Sequence, residues 1–152
     1  MARNPSAVPQ FSSIMEEAPT EVIRPKPLPE GTYLCVVKEY ERGASAKKNT
    51  PYTRFILEVV SAMDDVDQEA LAAAGGIEKK TLRVDFWETA DAIYRLDEFH
   101  EACGIDLSVA MARKHRNDEC VNAQILAYAE QEIDEDDPER IYVNVTSTAA
   151  VE

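Results

Sequence analysis

KTLRVDFWETADAIYRLDEFHEACG, residues 80–104, changes its period part-way. Over 80–87 apolar and polar residues alternate: Leu82, Val84 and Phe86 face one way, Arg83, Asp85 and Trp87 the other. That is the pattern of a half-buried strand. From Thr89 the apolar spacing becomes helical, through Ile93, Leu96, Phe99 or His100, and Cys103. Thr89 is the expected N-cap, Asp91 suits the positive helix end, and Gly104 stands where the helix should stop. A strand therefore leads into a helix, and the segments on either side set the architecture.

Upstream, GTYLCVVKEY (31–40) is rich in aromatic and β-branched residues and predicts a first strand. Residues 43–51 are turn-like, and YTRFILEVV (52–60) predicts a second strand. It places Thr53, Phe55, Leu57 and Val59 on one face and Tyr52, Arg54, Ile56 and Glu58 on the other. A long connection (62–79) holds one helical turn, QEALAAA, closed by Gly75-Gly76. Downstream, Asp106 is a candidate cap for a short helix LSVAMARKHR. CVNAQILAY (120–128) and RIYVNVTS (140–147) predict the fourth and fifth strands. The order β-β-β-α-β-β, with the helix between strands three and four, is that of a mainly β, five-stranded OB-fold barrel over residues 30–148. Residues 1–29 hold six of the eight prolines and read as an extended or disordered N-terminal arm. Its apolar cluster, Phe11, Ile14 and Met15, can dock on the domain or on a neighbour, so a homo-oligomer is an open expectation. Pro25, Pro27 and Pro29 form a stiff lead-in, and 149–152 is a short C-terminal tail.

The 152 residues carry 29 acids, 16 bases and a formal charge of −13. An acidic average argues against nucleic acid, but the charge is not spread evenly. Residues 129–139 hold seven acids and 63–78 hold five, with no base in either segment. Elsewhere the bases cluster at 38–54, at 79–83 and in the run RKHR at 113–116. No apolar run approaches the roughly 18–20 residues of a membrane span, and the N-terminus has no secretory apolar region. The expectation is a soluble, cytoplasmic protein. Three cysteines without a C-x-x-C pair predict reduced, mostly buried thiols.

Binding a single strand without reading its sequence needs cations for phosphates and flat side chains for bases. Tyr52 and Arg54 alternate onto one face of strand two, and Arg83 and Trp87 onto one face of strand three. Lys47 and Lys48 sit in the turn joining strands one and two, while Lys38, Tyr40, Arg42 and Lys80 extend the track. Blander readings compete. A lysine-rich turn is often only solvated, Trp87 can plug a barrel end, Tyr33 suits the core or rim, and RKHR can end a helix against its dipole. The acidic segment 129–139 is a solvated loop, a competitor for the basic groove, or a surface for a basic replication or recombination partner.

The chain resembles a family of phage-encoded single-stranded DNA-binding proteins with an OB fold. The resemblance rests on FSSIMEEAPTEVIRPKPLPEGTYLCVV (11–37), the lysine-bearing turn ending in TPYTRF, KTLRVDFW, DAIYRLDEFHEACGID and the closing strand pair. It covers most of residues 11–147. It implies coating of single strands in phage DNA replication or recombination, in the host cytoplasm. The insertion at 62–79 and the acidity of 129–139 depart from the family pattern. The chain ends in TAAVE, not in the acidic, Phe-ended tail of bacterial single-stranded DNA-binding proteins. Two other classes compete: a virion or assembly protein using a small β-barrel for protein contacts, and an acidic DNA mimic. A mimic would spread acid over its whole surface.

Catalytic and metal motifs fall short. GASAKKNT (43–50) has Lys48 where a P-loop needs its second glycine, and no Lys-[ST] pair follows at the right spacing. DEDDPE (134–139) lacks the sharp-turn glycine of a calcium loop. His100, beside Phe99, suits packing or the surface, and no Ser/His/Asp or Cys/His set stands out. The expectation is a non-enzyme without a catalytic or metal site and without a cofactor. Asn144-Val145-Thr146 matches a glycosylation acceptor, without bearing on a cytoplasmic protein.

Overall fold

In the computed structural model, residues 26–151 are described. The elements are β1 (Gly31–Ala44), β2 (Pro51–Ala62), α1 (Gln68–Ala73), β3 (Thr81–Trp87), α2 (Ile93–Ala102), α3 (Arg113–Cys120), β4 (Gln124–Ile133) and β5 (Ile141–Ala150). One antiparallel sheet runs β3-β2-β1-β4-β5. The Phe11, Ile14 and Met15 cluster, with most of the expected arm, lies outside the described residues.

Alternation builds the core. Tyr33, Cys35 and Val37 of β1, Phe55 and Leu57 of β2, Leu82, Val84 and Phe86 of β3, and Ile125 and Ala127 of β4 are all buried. α2 closes over them with Leu96 and Phe99. The Phe99 ring lies 4.4 Å from Phe55 and 5.0 Å from Phe86 between centroids, inside the range of favourable aromatic pairs.

The expected closed barrel does not form as a hydrogen-bonded ring. β3 and β5 approach each other but remain the two edges of the sheet. A cavity of about 130 Å³ separates them, lined by Val84 and Phe86, by β5 residues 145–148, and by Arg95 and Glu98 of α2. α2 contacts both edge strands, and its side chains stand where a ladder would need two backbones about 4.8 Å apart.

Local signals shifted several boundaries. The 62–79 connection is tied down: Thr32 donates through both its N–H (2.9 Å) and its hydroxyl (2.8 Å) to the Asp65 carboxylate. Asp67 caps α1, and Gly76 N–H donates to Leu71 C=O at 2.9 Å in a Schellman-type stop with Gly75 in the left-handed region. Thr89 does not cap α2. It opens a turn instead, its C=O taking Ala92 and Ile93 N–H, and the helix begins four residues later. Asp106 caps only a turn through Ser108. RKHR opens α3 and does not close a helix, so its cations face the unfavourable dipole end. Cys120 ends α3, which delays β4 to Gln124. β4 then runs to Ile133, so only 134–139 of the acidic segment lies in a loop. Ala149 and Ala150 pair with Leu126 and Ile125, so the first two residues of the expected tail belong to β5. At the other end, Leu28 is buried and Tyr33 Oη donates to Pro29 C=O at 2.6 Å, docking residues 28–29 of the lead-in on the sheet.

Candidate nucleic-acid interface

Two irregularities in the β1–β2 ladder, the second between Val37 and Glu39, set what each face displays. Before it, the odd residues of β1 are buried; after it, Tyr40 and Arg42 share the inner face with Phe55 and Thr53. The outer face therefore carries cross-strand rows: Gly43–Tyr52–Trp87, Glu41–Arg54–Asp85, and Glu39–Ile56–Arg83.

The first row is aromatic. Tyr52 and Trp87 meet edge-to-face, with centroids 5.9 Å apart and planes at 83°. Trp87 is 43 % exposed, so it displays its ring to solvent and does not plug the interior. Gly43 makes the seat: a Cβ there would stand 2.7 Å from the Tyr52 hydroxyl, so the phenol lies across bare backbone. Sequence reasoning missed Gly43. Its sequence context reads as a turn, and only the structure places it in a strand that runs on to Ala44, where a glycine marks close approach.

Arg54 is not a free phosphate ligand. Its Nε and Nη2 donate to the Asp85 carboxylate at 2.8 and 3.0 Å, and Nη1 reaches Glu41 at 3.4 Å. The Asp85 hydrogen bonds hold its guanidinium still more firmly charged than usual. The same group stands 4.8 Å from the Tyr52 ring centre, a cation–π contact. Its role here is to hold Tyr52. Of the expected site residues, the cations exposed without an ion pair among the described residues are Arg83 on the outer face, Lys47 and Lys48 in the hairpin, and Lys38 in the β1 bulge. The hairpin is ordered by Ser45, whose hydroxyl accepts Thr50 N–H at 3.0 Å, and by Asn49 at φ 54°.

Three expected members do not extend this track. Tyr40 turns inward, its hydroxyl bonded to Asp118 and its ring 5.7 Å from Phe55. Arg42 also turns inward, its Nε donating to Glu88 at 3.0 Å. Lys80 precedes β3 at the end away from Trp87, in phase with the inward Leu82, and its C=O accepts Val59 N–H at 3.1 Å. The inner-face carboxylate Glu88 is held below its usual range, first by the Arg42 hydrogen bond.

The acidic loop leaves the far end of the sheet. Gly31, the first residue of β1, pairs with Ala129, and β4 continues past it; Ala44, the last, pairs with Pro51 at the lysine hairpin. Residues 130–133 and 141–144 thus form a two-stranded ribbon pointing away from Lys47 and Lys48. Asp134 accepts from Asp136 N–H and from the Tyr142 hydroxyl, which hold its carboxyl below its usual range.

Several of the remaining reactive side chains are buried, Cys35, Cys120 and His100 among them. His100 is buried, with Nε2 2.7 Å from Asn117 Oδ1, and desolvation pushes its pKa down, so the ring is neutral at pH 7. All three thiols are free, and burial pushes Cys35 up to about 12. Among the described residues no group of metal-ligating side chains converges, and no helix is long and apolar enough to cross a membrane.

No family model and no curated protein matches the chain. Among solved structures, one of yeast RPA bound to ssDNA is similar at 6 % identity and a TM-score of 0.35, over 93 % of this chain and 86 % of that one. At that score the likeness establishes neither a shared fold nor a shared ligand.

Proposed function

We propose that this chain binds single-stranded DNA without reading sequence, on the outer face of β2 and β3, using an open-seamed version of the OB arrangement. The observation that carries the reading is the Tyr52–Trp87 pair, solvent-facing and held by Gly43 and Arg54, beside the unpaired cations Lys47, Lys48 and Arg83. Aromatic faces stack any base, which gives binding without sequence preference. The reading has no catalytic step and no cofactor. A role in phage DNA replication or recombination, in the host cytoplasm, is supported by the sequence resemblance. The acidic ribbon is then free to meet a basic replication or recombination protein.

The face is less basic than the sequence suggests, because Glu39, Glu41 and Asp85 share it. Stacking must supply more of the affinity, and salt dependence must be shallow. With three phosphates neutralised, the slope of log K against log salt is about −2. The test is titration with oligo-dT, following fluorescence of Trp87, the sole tryptophan. Quenching with that slope supports the reading; absence of binding at low salt, by fluorescence and by gel shift, removes it. The virion or assembly reading has one observation in its favour, the projecting ribbon with Ile133 and Ile141 paired and exposed at its tip. Loss of the DNA reading together with self-association through that ribbon supports it.

A further inference from the structure

The outer face leaves Arg42 and the RKHR run without a role. Both reach one place on the opposite side of the sheet, a cavity of about 300 Å³ between the inner face of the β1–β2 hairpin and the α2–α3 pair. That is the lower end of the about 300–1,000 Å³ range of small-ligand sites. We propose that this cavity binds one nucleotide unit, with its phosphate on Arg42, Arg113 and Lys114 and its base on Ile93 and Leu96, within reach of the Asn117 amide.

The cations are presented, not spent. Glu88 holds Arg42 through Nε and Nη2, and Asp97 holds Arg113 through Nε and Nη2 at 2.8 and 2.9 Å. Each guanidinium is thereby fixed edge-on, and its Nη1 has no partner among the described residues. Lys114 is exposed and in no ion pair. Glu88, the one carboxylate on the lining, is occupied, since Oε1 takes Arg42 and Oε2 takes Arg42 and the Thr53 hydroxyl. Electrostatics of α3 point the same way. Its first turn holds two cations, no acid and no side-chain cap, an arrangement the helix dipole disfavours and an anion in the cavity would relieve.

The second half of the site selects for a ring. Ile93 and Leu96 offer an apolar wall. Asn117 lines the cavity although only 2 % of it is exposed. Its Oδ1 is taken by His100, while its Nδ2 has no partner among the described residues. That donor is not sealed from solvent, since the buried side-chain atoms left without a partner among the described residues are His100 Nδ1 and Arg116 Nε; it opens on the cavity, where a base edge carries matching acceptors. The site is separate from the outer face and stands whether or not that face binds a strand.

Titration calorimetry on the full chain with dTMP, thymidine and inorganic phosphate tests it. dTMP binds, and thymidine and phosphate, each keeping half of the contacts, bind at least about tenfold more weakly. Lys114→Glu lowers dTMP affinity about tenfold. Ala112→Asp supplies the missing N-cap, so Tm rises, yet its fixed carboxylate lowers dTMP affinity by a similar factor. Loss with a raised Tm separates site damage from unfolding. Competition with oligo-dT identifies the source: displacement of dTMP means that the site takes a nucleotide of a strand, and undisturbed dTMP means a free nucleotide. No dTMP binding overturns the proposal, as does dTMP binding untouched by both substitutions. Trp87 quenching by oligo-dT reads the outer face independently, so either reading can fail alone.

Discussion

At Trp87 the alternation of β3 points the indole outward, and Tyr52 across the ladder supports its edge. Each ring presented to a base contributes about 1–3 kcal/mol by alanine substitution. Tyr52→Ala and Trp87→Ala should therefore each weaken oligo-dT binding by about 5- to 150-fold, with thermal unfolding little changed. For Trp87→Ala the readout is a labelled oligonucleotide, since the intrinsic probe is gone. Equal affinity in both variants would place the DNA elsewhere. His100 supports a different prediction. Its folded pKa lies below the ordinary 6.5, first through burial, so the unfolded chain binds the extra proton. Its contribution is complete above pH 6.5 and is lost as pH falls below it. Glu88 and Asp97, also lowered by their arginine partners, lose theirs only as pH falls below their ordinary values of 4.5 and 3.8. Urea midpoints between pH 7 and 5 should thus fall for the wild type and stay level for His100→Gln, from a lower starting value. A wild-type midpoint flat over that window would show that His100 is not desolvated.

Among the elements, β1 and α2 determine most of what the molecule displays. β1 was legible as a strand from its composition, but its irregular pairing with β2 was not. The extra residue beside Val37 sends Tyr40 and Arg42 inward, and no residue type at 37–39 announces it. Arg54 illustrates the same limit. Its place on the outer face followed from alternation, whereas its pairing with Asp85 and Glu41 depends on how three strands line up. α2 was legible from spacing, and Phe99 is its anchor, fully buried between Phe55 and Phe86. Phe99→Ala should cost about 3–5 kcal/mol, read as a lowered urea midpoint, because its ring packs on both Phe55 and Phe86. A loss under about 1 kcal/mol would mean that the site collapses freely around the change.

For the whole molecule, the basic hairpin and the acidic ribbon leave opposite ends of the sheet. β1, at 14 residues, spans up to about 45 Å between them, several times the roughly 10 Å Debye length at 0.1 M salt. Replacing 134–139 by a short Asn-Gly turn should therefore change oligo-dT affinity less than about threefold at that salt. A marked tightening would show that the ribbon reaches the binding face, of its own chain or of a second copy.

The separation of charge into segments, the strand identity of β1 to β3, the face on which Tyr52, Arg54, Arg83 and Trp87 stand, and the position of a helix after β3 all followed from the sequence alone. Each rests on a period of two or 3.6 residues, or on a local run of charge, and such patterns need only near neighbours along the chain. The open seam, the inward turn of Tyr40 and Arg42, the capture of Arg54 by two carboxylates and the cavity shared by Arg42 and Lys114 were decided by tertiary structure. Each depends on registers and packing between segments from tens to about a hundred residues apart, where one extra residue in a strand moves a side chain to the other face.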